Sequence, residues 1–189
     1  MVGLACSTAG CHGVLSPPTS LKSGLISAYD LIYNEQSAFC RICGAILDLT
    51  EWESTVRPQL ARAKEAFMLS STCVDDIEEC IRQLKQSLDI RGSVLHKHNQ
   101  LLGETHSRLA ELYKITGQLD LAILHQSFAL KTAERLYPLN STNVAFEMLA
   151  LSVLLQVNNN PEWQLLYQQA YSYLRLHYGS AAAAVVNST

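Results

Sequence analysis

The chain has 189 residues, 48% of them hydrophobic and 16% charged, with a formal net charge of −3 at pH 7. That composition suits one globular domain, or a domain plus a small module, and excludes a disordered chain. The weak negative charge gives no general pull toward nucleic acid or an anionic membrane, and no apolar run is long enough to span a bilayer.

Residues 1–50 show no helical periodicity. They hold Cys6, Cys11, Cys40 and Cys43, the Pro17-Pro18 pair and several Gly and Ser. Short β-favouring runs, Val14-Leu15 and Phe39 with Ile42, predict small hairpins at most. Residues 16–38 read as a long loop between two cysteine pairs, and a loop of that length needs a reason. From about Trp52 the period changes. Apolar residues at three- and four-residue steps predict helices over 53–69, 75–88, 99–115, 119–136, 140–157 and 161–177. Pro161 suits the first turn of the last of these, where a missing N–H costs nothing. The Ala-rich tail, 179–189, is expected to fray. Six helices with short connections pair naturally as three antiparallel hairpins.

The stretch LAELYKITGQLDLAILHQSFAL, residues 109–130, goes beyond periodicity. Leu109, Ala110, Tyr113, Gly117, Ala122, Ala129 and Leu130 have tetratricopeptide-repeat spacing. Small residues let two helices approach, Tyr113 fills the gap between them, and Gly117 permits the tight turn. Leu149-Ala150 repeats the Leu-Ala pair, but its turn, 158–161, lacks the glycine. The competing reading is a plain bundle with small residues at its contacts. Such repeats bind proteins in a concave groove, sometimes by clamping a C-terminal carboxylate with Lys and Asn. The groove-facing positions here, Ser107 and Glu111, do not form such a clamp.

Cys6-x4-Cys11-x-Gly13 and Cys40-x2-Cys43-Gly44 are two pairs, each followed closely by glycine. Zinc takes four ligands in a tetrahedron, and thiolates suit it. Two cysteines on a tight turn, with backbone N–H groups aimed at the sulfurs and a glycine to close the turn, make half of such a site. Two halves facing each other make a zinc ribbon, structural because no position is left open. Its metal would tie the ends of the long loop and stabilise a segment too small to fold alone. The rival is a set of free or redox-active thiols, although a thioredoxin-like motif needs a βαβ context that is lacking. His12, next to Cys11, is an alternative ligand. Cys73 and Cys80 read as buried small hydrophobes. His96-x-His98 reads as a helix start more than a metal pair, and His106, His125 and His177 as isolated. Asp75, Asp76, Glu78 and Glu79 suit a helix N-terminus. No phosphate loop, nucleophile elbow or Ser/His/Asp set is present. Without a recognisable secretory leader, the expected compartment is the reducing cytosol or nucleus.

A cysteine segment running into tetratricopeptide-like helices resembles the C-terminal part of the SET and MYND domain-containing (SMYD) protein-lysine methyltransferases. Residues 95–155, with Leu95-His96, the Ala-rich hairpin, Tyr137-Pro138 and the run 145–155, look like that family's helical region, and the likeness extends over residues 5–178. The resemblance implies a zinc-binding segment that follows a SET core and helps close its cleft. It also implies helices that cover the substrate side and recruit partner proteins. The Asn-His-x-Cys segment, the glycine-rich cofactor loop, the catalytic tyrosine region and the MYND finger find no counterpart. The expectation is therefore a mainly α chain. Residues 1–50 form a zinc segment on Cys6, Cys11, Cys40 and Cys43, residues 51–178 a tetratricopeptide-like domain, and residues 179–189 a flexible tail. It would bind protein partners or a protein substrate, but neither nucleic acid nor membrane. It would be inactive alone, with S-adenosylmethionine bound only in a full-length parent. The alternative is an independent tetratricopeptide-like adaptor.

Overall fold

The computed structural model describes residues 4–6, 8, 10–16, 39–40, 42–46, 52–71 and 76–187. Most of the expected loop, and Cys73 and Asp75, lie outside them. The N-terminal part is a three-stranded antiparallel sheet of β1 (Leu4–Ala5), β2 (Val14–Ser16) and β3 (Phe39–Cys40), in that order. Leu15 stands opposite Leu4 on one side and Cys40 on the other. Cys6, Leu15 and Cys40 are buried together, with Cys11 and Ala45 packed against them. An apolar centre this small gives little hydrophobic stabilisation.

A π-helical turn, Trp52–Val56, leads into α1 (Arg57–Leu69). Then follow α2 (Ile77–Val94), α3 (Gln100–Ile115), α4 (Leu119–Leu136), α5 (Thr142–Val157) and α6 (Trp163–Tyr178). They pack as antiparallel hairpins α1–α2, α3–α4 and α5–α6, with α2 against α3 and α4 against α5, so the hairpins form one mainly helical, tetratricopeptide-like array. No helix among the described residues is long and apolar enough to cross a membrane.

Caps set the boundaries. The side chains of Asp76, Asn99 and Ser141 accept from the N–H groups of Glu79, Leu101 and Val144. Each satisfies a donor that the first helical turn leaves open. All the repeat positions read from the sequence apart from the turn glycine are buried: Leu109, Ala110, Tyr113, Ala122, Ala129 and Leu130. Gly117 has φ +73°, the left-handed geometry of the turn. One core joins Ile81, Leu84, Leu109, Tyr113, Ala122 and Leu154 across α2–α5. A second runs from Leu130 and Ala133 through Val144, Met148 and Leu149 to Leu174. α5 buries residues all round because it lies between α4 and α6.

Several limits differ from expectation, three of them with a visible cause. α2 runs six residues past Leu88 because Arg91, itself buried, is anchored. It donates to the Leu101 carbonyl at 3.0 Å and to Thr105 Oγ1 at 2.6 Å, and its guanidinium lies 4.7 Å from the Phe67 ring centre. Pro161 lies before α6, not in its first turn. Asn160 Oδ1 accepts from the Glu162 N–H at 3.0 Å and turns the chain there. The tail does not simply fray: residues 179–181 form a 3₁₀ turn and α7 (Ala182–Asn187) follows, with Ala182 fully buried in the second core.

Candidate metal centre

The sheet and its two turns bring Cys6, Cys11, Cys40 and Cys43 together, with all four sulfurs within 4.8 Å of one another. Cys6 follows β1, Cys11 sits on the β1–β2 turn, Cys40 ends β3 and Cys43 lies on the turn beyond it. The Sγ–Sγ separations are 3.5 Å for Cys6–Cys43 and 3.7 Å for Cys11–Cys40. Zinc–sulfur bonds of about 2.3 Å in a tetrahedron set sulfurs about 3.8 Å apart, whereas a disulfide needs about 2 Å. The donor set therefore fits one tetrahedral ion and not two bridges.

The backbone supports the same geometry. The Gly13 N–H points at Cys11 Sγ and the Ile42 N–H at Cys40 Sγ, each at 3.4 Å. Backbone hydrogen bonds close the turns, from Cys11 to Thr8, Cys6 to Gly13, and Gly44 to Cys40. The glycines divide the work differently from the sequence expectation. Gly10 and Gly44 both have φ +74° and so shape the two turns, Gly10 from before its cysteine. Gly13 acts by absence of a side chain: a Cβ there would lie 2.3 Å from Cys40 Sγ and 3.3 Å from Cys11 Sγ.

Four thiols this close cannot all ionise without a cation among them. Backbone donation from Ala45, followed by contact with Thr8 and Cys6, brings Cys43 down to about 6. Backbone donation from Cys43 and Ile42 also lowers Cys40. Although the Gly13 N–H favours the Cys11 thiolate, burial and the neighbouring Cys43, Cys40 and Cys6 push Cys11 up to about 12. A divalent ion would remove the conflict.

His12 is exposed and outside the cluster. The His96 and His98 rings lie 5.6 Å apart, and His96 Nδ1 accepts from the His98 N–H at 3.3 Å, so the pair shapes the approach to α3. Cys80 is buried, as a small hydrophobe would be. His177 is not isolated: its Nε2 lies 2.8 Å from the Asn140 carbonyl oxygen.

His106 and His125, read from the sequence as isolated, are paired. Their Nδ1 atoms lie 2.8 Å apart, His106 stacks on Phe128 and His125 on Tyr113. One Nδ1 must donate and the other accept, so the accepting ring is neutral and the two cannot both be protonated. Burial, with His125 adding to it, brings His106 down to about 4, and burial with Lys85 lowers His125. Both folded values lie below the ordinary 6.5, so above pH 6.5 titration of the pair does not change stability. As pH falls from 6.5 toward 4, the unfolded chain takes up protons that the folded chain refuses, and stability drops. The expected loss is on the order of 1–2 kcal/mol after discounting for partial exposure. Urea midpoints between pH 7.5 and 4.5 measure it. His106→Phe should flatten the fall, and an unchanged fall would contradict the pairing. The sequence signal was available: the two residues face each other across the α3–α4 hairpin.

Compared with known proteins, the chain matches no family model and no curated protein.

Proposed function

We propose that this chain is the zinc-binding and helical protein-interaction part of a SMYD-type protein-lysine methyltransferase, without catalysis of its own. The observation that carries the reading is the four-thiol cluster placed directly ahead of a tetratricopeptide-like array. The sequence resemblance supplies the family.

Cys6, Cys11, Cys40 and Cys43 would hold a structural zinc ion, since four thiolates leave no coordination position for water or substrate. The metal would supply cross-linking of the two turns, where the sheet's own core is small. The chain's residues do the rest: Gly13 and Ile42 orient Cys11 and Cys40 through their N–H groups, and Leu15 backs the sulfurs with apolar surface. The helices would carry partner or substrate binding, and S-adenosylmethionine would belong to a full-length parent. A second reading, an independent tetratricopeptide-like adaptor, draws on the α3–α4 hairpin, where the buried repeat residues surround Gly117.

Chelation followed by hydrogen exchange tests the structural role. A strong chelator should strip protection from the amides of Cys6, Cys11, Cys40 and Gly44 and leave the amides of α3–α5 protected, because the helices have their own cores. Unchanged protection in the cysteine segment would contradict a structural metal. Methyl transfer by the purified chain, supplied with S-adenosylmethionine, would overturn the non-catalytic reading.

A further inference from the structure

A cavity of about 380 Å³ opens between α3, α4 and α5. Gln100, Glu104, Thr132, Tyr137, Phe146 and Glu147 form its distinctive lining. Its charged groups are two carboxylates, Glu104 from α3 and Glu147 from α5, and no Lys, Arg or His lines it. Neither carboxylate has an ion-pair partner among the described residues. Glu104 Oε1 accepts from Gln100 Nε2 at 2.8 Å. Glu147 Oε2 accepts from Gln126 Nε2 at 2.6 Å, and Gln126 also reaches the Glu147 backbone carbonyl, which fixes the carboxylate from behind. The Phe146 and Tyr137 rings, both half-buried, complete the wall.

We infer that this cavity receives the Arg or Lys side chain of an extended segment of a partner protein. Two carboxylates from different helices suit a guanidinium or ammonium group, and an aromatic wall suits the same cation and its apolar stem. The volume is at the small end for ligand pockets, enough for one long side chain and not a cofactor. Gln100, Glu104, Ser107 and Glu111 recur along one face of α3, a stripe about 16 Å long that matches about five extended residues. Burial raises the Glu147 carboxyl above its ordinary range, with the Glu111 charge adding to the shift. An arriving cation would relieve that cost. The proposal rests on the protein-binding reading of the helices and is independent of the metal.

The test is a nitrogen-15 titration of the full chain with the capped pentapeptide Ala-Ala-Arg-Ala-Ala, beside its neutral citrulline counterpart and free arginine. Saturable shifts at Gly103, Thr132 and Phe146 are expected with the Arg peptide. Binding should be about tenfold weaker with citrulline and in Glu147→Gln. That variant keeps an acceptor for Gln126, so it should fold at least as stably. Equal binding of the citrulline peptide, an unaffected Glu147→Gln, or no shifts at these sites would overturn the proposal. Free arginine binding as tightly as the peptide would overturn the protein source. A partner protein captured equally by wild type and Glu147→Gln would leave the array reading intact and sink this one.

Discussion

Gly13→Ala is expected to disable the metal centre while leaving the helices folded. The new methyl group would stand 2.3 Å from Cys40 Sγ and 3.3 Å from both Cys11 Sγ and Ile42 Cβ. No real Cβ tolerates the first distance, so Cys40 or the β2 backbone must move, and Cys40 is 1% exposed with no open space to move into. Displacing one sulfur of four, together with the N–H that serves Cys11, should lower metal affinity by at least roughly 10–100-fold. Competition against a chromophoric chelator measures this. Gly10→Ala is the control. Its φ is +74° and nothing lies within 4 Å of the added methyl, so it carries backbone strain of about 1–2 kcal/mol and no clash with sulfur. If Gly13→Ala binds metal as tightly as Gly10→Ala, the close approach of Gly13 to the thiols is wrong.

Leu109→Ala should be the most damaging simple truncation in the helical array. Leu109 has 0% exposure and sits in the core that joins α2, α3, α4 and α5. Its small neighbours, Ala110 and Ala122, hold the helices close and cannot expand to refill the space. A loss of about 3–4 kcal/mol is expected, within the range for buried Leu-to-Ala changes and a large share of a domain's stability. Urea unfolding should show a lower midpoint at unchanged slope. A loss under about 1 kcal/mol would mean that this core is not the close-packed centre of the array.

Much of the helical half was legible because punctuation and period agree there. α4 begins just after Gly117 and ends just before Pro138, and its limits match the expected ones. The reading failed where polar residues do apolar work. The apolar steps Ile77, Ile81, Leu84 and Leu88 end the expected α2 at Leu88, because the next position on that face is Arg91 and a buried arginine has no place in a hydrophobic period. Arg91 is nevertheless the residue that ties α2 to α3. Ala182 looked like frayed tail because alanine carries little signal, yet a small side chain is what α6 and the second core admit there.

The cysteine cluster was visible in spacing alone, and the structure brings all four named thiols together. What spacing could not assign was the division of labour among glycines. A glycine needed for positive φ and one needed for close approach look alike in a sequence; only the fold shows Gly10 and Gly44 doing the first and Gly13 the second. The acidic cavity was not legible in the sequence. The groove positions expected on α3, Ser107 and Glu111, do not line it; α3 contributes Glu104, and the second carboxylate, Glu147, comes from α5. Its position depends on the Gln126–Glu147 tie between helices, which no local pattern encodes.

The most direct measurement of the central claim is the metal content of the purified full chain by mass spectrometry, with X-ray absorption at the zinc edge. The expected result is one zinc per chain, four sulfur neighbours at about 2.3 Å, and loss of the metal in Cys40→Ser. Protein prepared under reducing conditions with zinc available that retains no metal, or zinc bound through nitrogen or oxygen and unaffected by Cys40→Ser, would contradict it.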